Sequence, residues 1–160
     1  MSDPLTFMMG EFAAQFPIDR QYARNHMWAQ RVDDSESALA DQLNWRFGFT
    51  AYAVRLLQDV YFLDWIIDPN ARLAEGQEIG AIESSKAESS LYAPTTGMLT
   101  VLNETLMNDP SAINVDKYGA GWLFGMQSPG DNLMSPVEYL EHLTDVWEVT
   151  QKTIKGQLNK

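Results

Sequence analysis

The chain has 160 residues, 45% of them hydrophobic and 21% charged, and its 22 acidic side chains against 11 basic ones give a formal net charge of -11. Such a length and composition suit one domain with a real core and exclude a disordered chain. The charge repels nucleic acid and anionic membranes and favours protein partners with basic rims. Without cysteine there are no disulfides, thiolate metal ligands or cysteine nucleophile. The two histidines, His26 and His142, stand in no metal-ligand spacing, so no metal is expected.

The opening stretch is apolar in patches, but it has no basic start and is interrupted by Asp3 and Glu11, unlike a secretory or transit segment. No apolar run approaches the roughly 20 residues of a membrane helix, so the expected address is the cytoplasm, with no membrane partner. Residues 1–18 read as an N-terminal arm or short helix, with Phe7, Met8, Phe12 and Phe16 on one side. Tyr22 to Val32 reads as an edge strand. From Asp33 to Asn44, hairpin, loop and short helix all stay open. Phe47-Gly48-Phe49 leads to Thr50, an N-cap for a helix over Ala51–Leu57.

Asp59–Ile67 alternates imperfectly, placing Tyr61, Leu63, Trp65 and Ile67 on one side and Val60, Phe62 and Ile66 on the other. Asp68-Pro69-Asn70 and Glu75-Gly76 are turn signals. Gln77–Glu83 and Ser90–Ala93 read as strands around a small polar connector centred on Lys86, and Met98–Leu102 follows as another strand. One helical turn is expected within Asn103–Asn114, and Trp122, Phe124 and Met126 alternate as a last strand. Ser135-Pro136-Val137-Glu138 signals a helix start, with Ser135 capping, Pro136 at the first position and Glu138 completing a capping box. Val137, Leu140, Leu143 or Thr144, Trp147, Ile154 and Leu158 then form its apolar stripe, expected to dock on the sheet. The fold class is mainly β with flanking helices and a C-terminal helix. It reads as one domain over 1–160, divided into an arm at 1–18, a β body at 19–127 and a helix at 135–158.

Lys86 stands out for three reasons. Ser84, Ser85, Ala87 and Ser89 are small and leave the space around its amine clear, and a rigid root under a long arm raises the effective concentration of a tethered group at each partner. Gly76 lies ten residues before it and Gly97 eleven after it, as turns bracketing two strands would. Six arginines and this single lysine precede Lys117, and acylation requires an amine rather than a guanidinium.

The stretch Glu83-Ser84-Ser85-Lys86-Ala87 resembles the lipoyl-lysine motif of the glycine cleavage system H-protein family. The likeness continues through Tyr92-Ala93-Pro94, Thr96-Gly97, Asn108-Asp109-Pro110, Ile113-Asn114 and Tyr118-Gly119-Ala120-Gly121-Trp122. Upstream, His26-Met27-Trp28 and Gly48-Phe49-Thr50 resemble the family's opening. The resemblance implies a lipoyl-domain-like hybrid barrel-sandwich with lipoate in amide linkage to Lys86, inside a motif formed by Glu83, Ser84, Ser85 and Ala87. It implies a non-catalytic, monomeric carrier with no catalytic residue of its own. Its implied partners are glycine decarboxylase, an aminomethyltransferase, dihydrolipoyl dehydrogenase and a lipoate ligase or transferase, among which it shuttles an aminomethyl group. The chemistry would belong to the cofactor.

The chain departs from the family pattern in several places. Met27 stands where the family has glutamate, Gln58 and Ala120 replace a glycine and a glutamate, and Glu88 replaces an alanine. The segment between Trp28 and Gly48 is about nine or ten residues longer than usual. These changes alter surfaces that meet partners. They keep open an H-like lipoate protein of another pathway, such as heterodisulfide-reductase-like sulfur oxidation or lipoyl relay, and an unmodified acidic interaction domain. The pairs Asp33, Asp34 and Glu36, and Asp64 with Asp68, read as solvated or turn carboxylates rather than catalytic ones. His26 reads as structural, with a place beside the lipoyl arm as the alternative.

Overall fold

The computed structural model describes residues 3–32 and 43–158, with side chains to residue 151. The segment 33–42, with Asp33, Asp34 and Glu36, therefore lies outside the described residues, as do the side chains of Ile154 and Leu158. The chain opens on a hairpin, not the helix that its first aromatic residues suggested. Strand β1 (Leu5–Met9) pairs antiparallel with β2 (Phe12–Phe16). Gly10 takes φ 65 at the first central position of the two-residue turn, where a type II′ turn needs positive φ. Burial then alternates with period two: Met9, Ala14 and Phe16 go inside while Met8, expected among the apolar side, is 51% exposed. The helical spacing of Phe12 and Phe16 misled because those two positions also fall on one face of a strand.

The expected edge strand is likewise a hairpin. Strands β3 (Gln21–Tyr22) and β4 (Met27–Arg31) are joined by a tight reversal in which His26 takes φ 69. β4 continues antiparallel into β5 (Asn44–Phe49), and Gly48 is required there because a Cβ would lie 2.6 Å from the Trp28 ring. Thr50 caps α1 (Ala51–Leu57) as expected, its hydroxyl accepting from the Ala53 N–H at 3.4 Å.

Strand β6 (Val60–Trp65) explains the imperfect alternation. A register shift between Val60 and Phe62 leaves Tyr61 opposite no partner, and Val60 and Leu63 both turn inward while Tyr61 is 59% exposed. Tyr61 therefore does not share a face with Leu63. After the turn at Asp68–Asn70 come β7 (Arg72–Leu73), β8 (Glu78–Ser84), β9 (Glu88–Tyr92) and β10 (Gly97–Leu102). Gly76 has φ 84, as a turn glycine should. Gly97 has another reason: it opens β10, where an added Cβ would meet the Gln127 carbonyl oxygen at 2.2 Å. Two short helices, α2 (Thr105–Asn108) and α3 (Ala112–Val115), stand where a single helical turn was expected. Strand β11 begins at Phe124 and runs to Gln127, leaving Trp122 before it.

The strands make a six-stranded sheet in the order β3-β4-β5-β11-β10-β7, a three-stranded sheet β6-β8-β9, and the separate β1-β2 hairpin. Phe47, Phe124, Met126 and Leu99 from the larger sheet meet Leu63, Ile79, Ile82 and Leu91 from the smaller one in one continuous core. The last helix, α4 (Pro136–Leu158), starts on the expected capping box: the Glu138 N–H donates to Ser135 Oγ at 3.2 Å, and the Ser135 N–H to Glu138 Oε1 at 2.9 Å. Its buried stripe is Tyr139 and Leu143, flanked by Leu140, Val146 and Trp147, whereas Val137 is 59% exposed and Thr144 faces solvent. It docks on the sheet as expected, over Tyr22 of β3 and Trp28 of β4, in a second cluster that Met9 and Phe16 of the opening hairpin and Tyr52 of α1 complete, apart from the main core. Leu140, Leu143 and Trp147 therefore pack as expected, and the first turn differs: Tyr139 enters the aromatic cluster in place of Val137.

Candidate functional site: the Lys86 hairpin

Strands β8 and β9 pair antiparallel, with Glu83 opposite Glu88, so residues 84–87 close the end of a two-stranded projection. Lys86 lies at its tip and is exposed, as are Ser85 and Ala87. Ser84 is the structural centre of the turn. It is 5% exposed, and its hydroxyl oxygen accepts from the backbone N–H groups of Ala87 at 3.2 Å and Lys86 at 3.4 Å. The Ser84 N–H donates to the Ala87 carbonyl at 2.8 Å, and the Ser84 hydroxyl donates to the same oxygen at 3.2 Å. A buried hydroxyl that meets two amides and a carbonyl holds the turn in one shape, because releasing it would leave those groups unpaired.

The turn is also strapped sideways. The Ser85 N–H donates to the Asp59 carbonyl at 2.9 Å, and Ser85 Oγ accepts from the Asp59 N–H at 3.2 Å. Asn114 of α3 accepts from the Val60 N–H at 2.9 Å and donates to the Gln58 carbonyl, so the start of β6 is itself pinned. At the other end of β9, the Asn25 side-chain amide donates to the Tyr92 carbonyl at 3.0 Å. Sequence reasoning treated Ser84 and Ser85 only as small residues that clear space, and it missed Asp59 and Asn114. The Asn114 contact joins residues 54 positions apart, and no local pattern could reveal it.

Beside the hairpin lies a cleft of 240 Å³, walled by Met27, Phe49, Leu57, Ile82 and Leu91 with His26 at its edge. His26 is held from behind: its Nδ1 is 2.9 Å from the Tyr139 hydroxyl, which in turn is 3.1 Å from Thr50 Oγ1. Its ring lies 4.5 Å from that of Tyr52 and 5.9 Å from that of His142. Burial, and then the neighbouring His142, push the imidazole down to about 4, so it is neutral near pH 7. Burial raises the Tyr139, Tyr22, Tyr118 and Tyr52 hydroxyls, which therefore stay protonated donors. Asp64, on β6, and Asp68, whose carbonyl closes the following turn onto the Ala71 N–H at 3.1 Å, border one open cleft.

A barrel-sandwich of two sheets that projects one lysine on a braced hairpin defines a lipoyl-type carrier fold. Comparison with known proteins gives the particular family. The model of the glycine cleavage H-protein matches residues 20–153. A glycine cleavage system H protein of Mycolicibacterium gilvum is 36% identical over 120 residues, covering 75% of this chain and 85% of that protein. One from Rubrobacter xylanophilus is 35% identical over 133 residues, covering 82% of this chain and 98% of its own length. The crystal structure of a glycine cleavage system H protein from Mycobacterium marinum superposes with a TM-score of 0.65 at 33% identity, covering 78% of this chain and 95% of that one. This chain belongs to the glycine cleavage H-protein family, a family of lipoyl carriers. No described helix is long and apolar enough to cross a membrane.

Proposed function

We propose that Lys86 carries lipoate in amide linkage, and that the chain shuttles an aminomethyl group among glycine decarboxylase, the aminomethyltransferase and dihydrolipoyl dehydrogenase. One observation carries the assignment: Lys86 is exposed at the tip of a turn whose backbone is fixed by buried Ser84 and strapped to Asp59. The lipoyl dithiolane would supply the redox and group-transfer chemistry. The residues of the chain then do the work of a mount. Ser84 and Ser85 fix where the lysine stem leaves the surface, and small Ser85 and Ala87 leave room for a modifying enzyme. The apolar cleft beside β9 offers a surface on which an alkyl arm can lie.

Acylation removes the Lys86 charge, so the modified protein is more acidic than the -11 of the bare chain. Substituting Lys86→Arg keeps the positive charge and removes the acylatable amine. After expression with lipoate, intact mass should show one lipoyl adduct on the wild type and none on the variant, with thermal stability unchanged. An adduct retained by Lys86→Arg would reject the assignment.

A further inference from the structure

Apart from Glu83, which borders the lysine turn, the outer face of the three-stranded sheet is not used by the carrier reading. Leu63 and Ile82 lie opposite each other and point into the core, so the alternate row of Phe62, Glu83 and Glu88 points outward. In that row Phe62 is opposite Glu83, and Glu83 is opposite Glu88. The next outward row is Asp64, Ala81 and Ser90. Two features of this face work against the stability of the free chain. Phe62 leaves 46% of its surface in water, next to exposed Tyr61. Glu83 and Glu88 are like charges directly across a strand pair, an arrangement that is destabilising, and among the described residues no cation pairs with either. The row sits at the root of the Lys86 turn, three residues before it and two after.

We infer that this row, Phe62 with Glu83 and Glu88, is a docking face for glycine decarboxylase, through a surface that presents an apolar side chain flanked by arginine or lysine at the entrance to its active site. The inference rests on the carrier reading, because an enzyme that receives the arm of Lys86 must cover the residues at its root. The charge points to such a partner: a guanidinium set between the two carboxylates relieves their repulsion, and a net charge of -11 steers a basic rim toward the carrier. Burial of Phe62 against the partner would then take that ring out of water.

The experiment uses the lipoylated fraction of each variant, separated by anion exchange and checked by intact mass, in carrier-dependent exchange of bicarbonate into glycine by the decarboxylase. Glu88→Lys and Phe62→Ser should each raise the KM for the carrier roughly fivefold or more, with kcat within about twofold, and Glu88→Lys should flatten the salt dependence. Glu141→Lys makes the same charge change on the exposed side of α4 and should leave KM unchanged. An equal rise for Glu141→Lys would mean that net charge alone acts, and would overturn the docking face. So would an unchanged KM in Glu88→Lys and Phe62→Ser, or a fall in kcat at constant KM. A lipoylated wild type that supports no exchange would overturn the decarboxylase as partner along with the pathway reading. A wild type without an adduct would identify failure of the Lys86 assignment instead.

Discussion

The Lys86 hairpin and the aromatic block beneath α4 are built on opposite plans. In the hairpin, the turn closes on near neighbours, with the Asp59 strap added from 26 positions away: Ser84 bonds to residues two and three positions on, and β8 pairs with the strand that follows it. In the block, His26 meets Tyr139 across 113 positions, Tyr52 meets Thr150 across 98, and the Tyr118 hydroxyl donates to the Gln15 carbonyl across 103. The hairpin leaves Lys86 in water. The block buries Tyr22 and Tyr139 completely, stacked at 4.8 Å with their rings 6° apart. One region holds a side chain out in solvent, and the other fastens the opening hairpin and α4 to the barrel.

The comparison can be broken most severely at Tyr139. Replacing Tyr139 with alanine removes a fully buried ring that contacts Phe16 and Tyr22 and leaves Thr50 Oγ1 and His26 Nδ1 without that hydroxyl. Urea unfolding should show a loss of about 4 kcal/mol. The folded fraction should still accept lipoate at the wild-type rate, since the Ser84 turn does not depend on the block. A matching fall in lipoylation rate of the folded fraction would show that the two regions are coupled.

A smaller effect is expected from acid. His26 sits at about 4 in the fold against an ordinary value of 6.5. Between those values the unfolded chain binds a proton that the native state does not, so stability falls as the pH falls. Its contribution is fully present above pH 6.5 and is lost progressively down to about pH 4, amounting to about 3 kcal/mol. Urea midpoints measured across that range should drop for the wild type, and His26→Gln should remove this part of the slope. An identical slope in the variant would assign the acid sensitivity to other groups.

Least costly is Ser84→Ala. Losing the hydroxyl leaves the Lys86 and Ala87 amides without their acceptor, for about 1 kcal/mol. Its signature is local: hydrogen exchange at those two amides should quicken, and lipoylation should slow, while the Tyr22, Tyr52 and Tyr139 region keeps its protection. Faster exchange spread over both regions would contradict the separation.

How much could be read in advance follows the same division. The polar connector, the turn glycine Gly76, the Thr50 cap and the Ser135–Glu138 capping box were legible because each depends on side chains a few residues apart. The opening hairpin was not, since Phe12 and Phe16 satisfy a helical and a strand spacing equally. Tyr61 was assigned to the wrong face because a bulge shifts the alternation by one residue, and a bulge is settled by pairing with β8 rather than by the run itself. The stripe of α4 was legible at Leu140, Leu143 and Trp147 but missed Tyr139, because the aromatic surface that receives that ring is assembled from elements distant in sequence.

The sequence by itself determined that Lys86 would stand on a turn between two strands and that a helix would begin at Pro136, because turns and caps are local hydrogen-bonding problems with few solutions. Only the tertiary structure decided that Ser84 would be buried as the pin of that turn, that Asp59 and Asn114 would brace it, and that Phe62, Glu83 and Glu88 would share one face. Those outcomes depend on register and on contacts between distant segments, and neither composition nor periodicity encodes them.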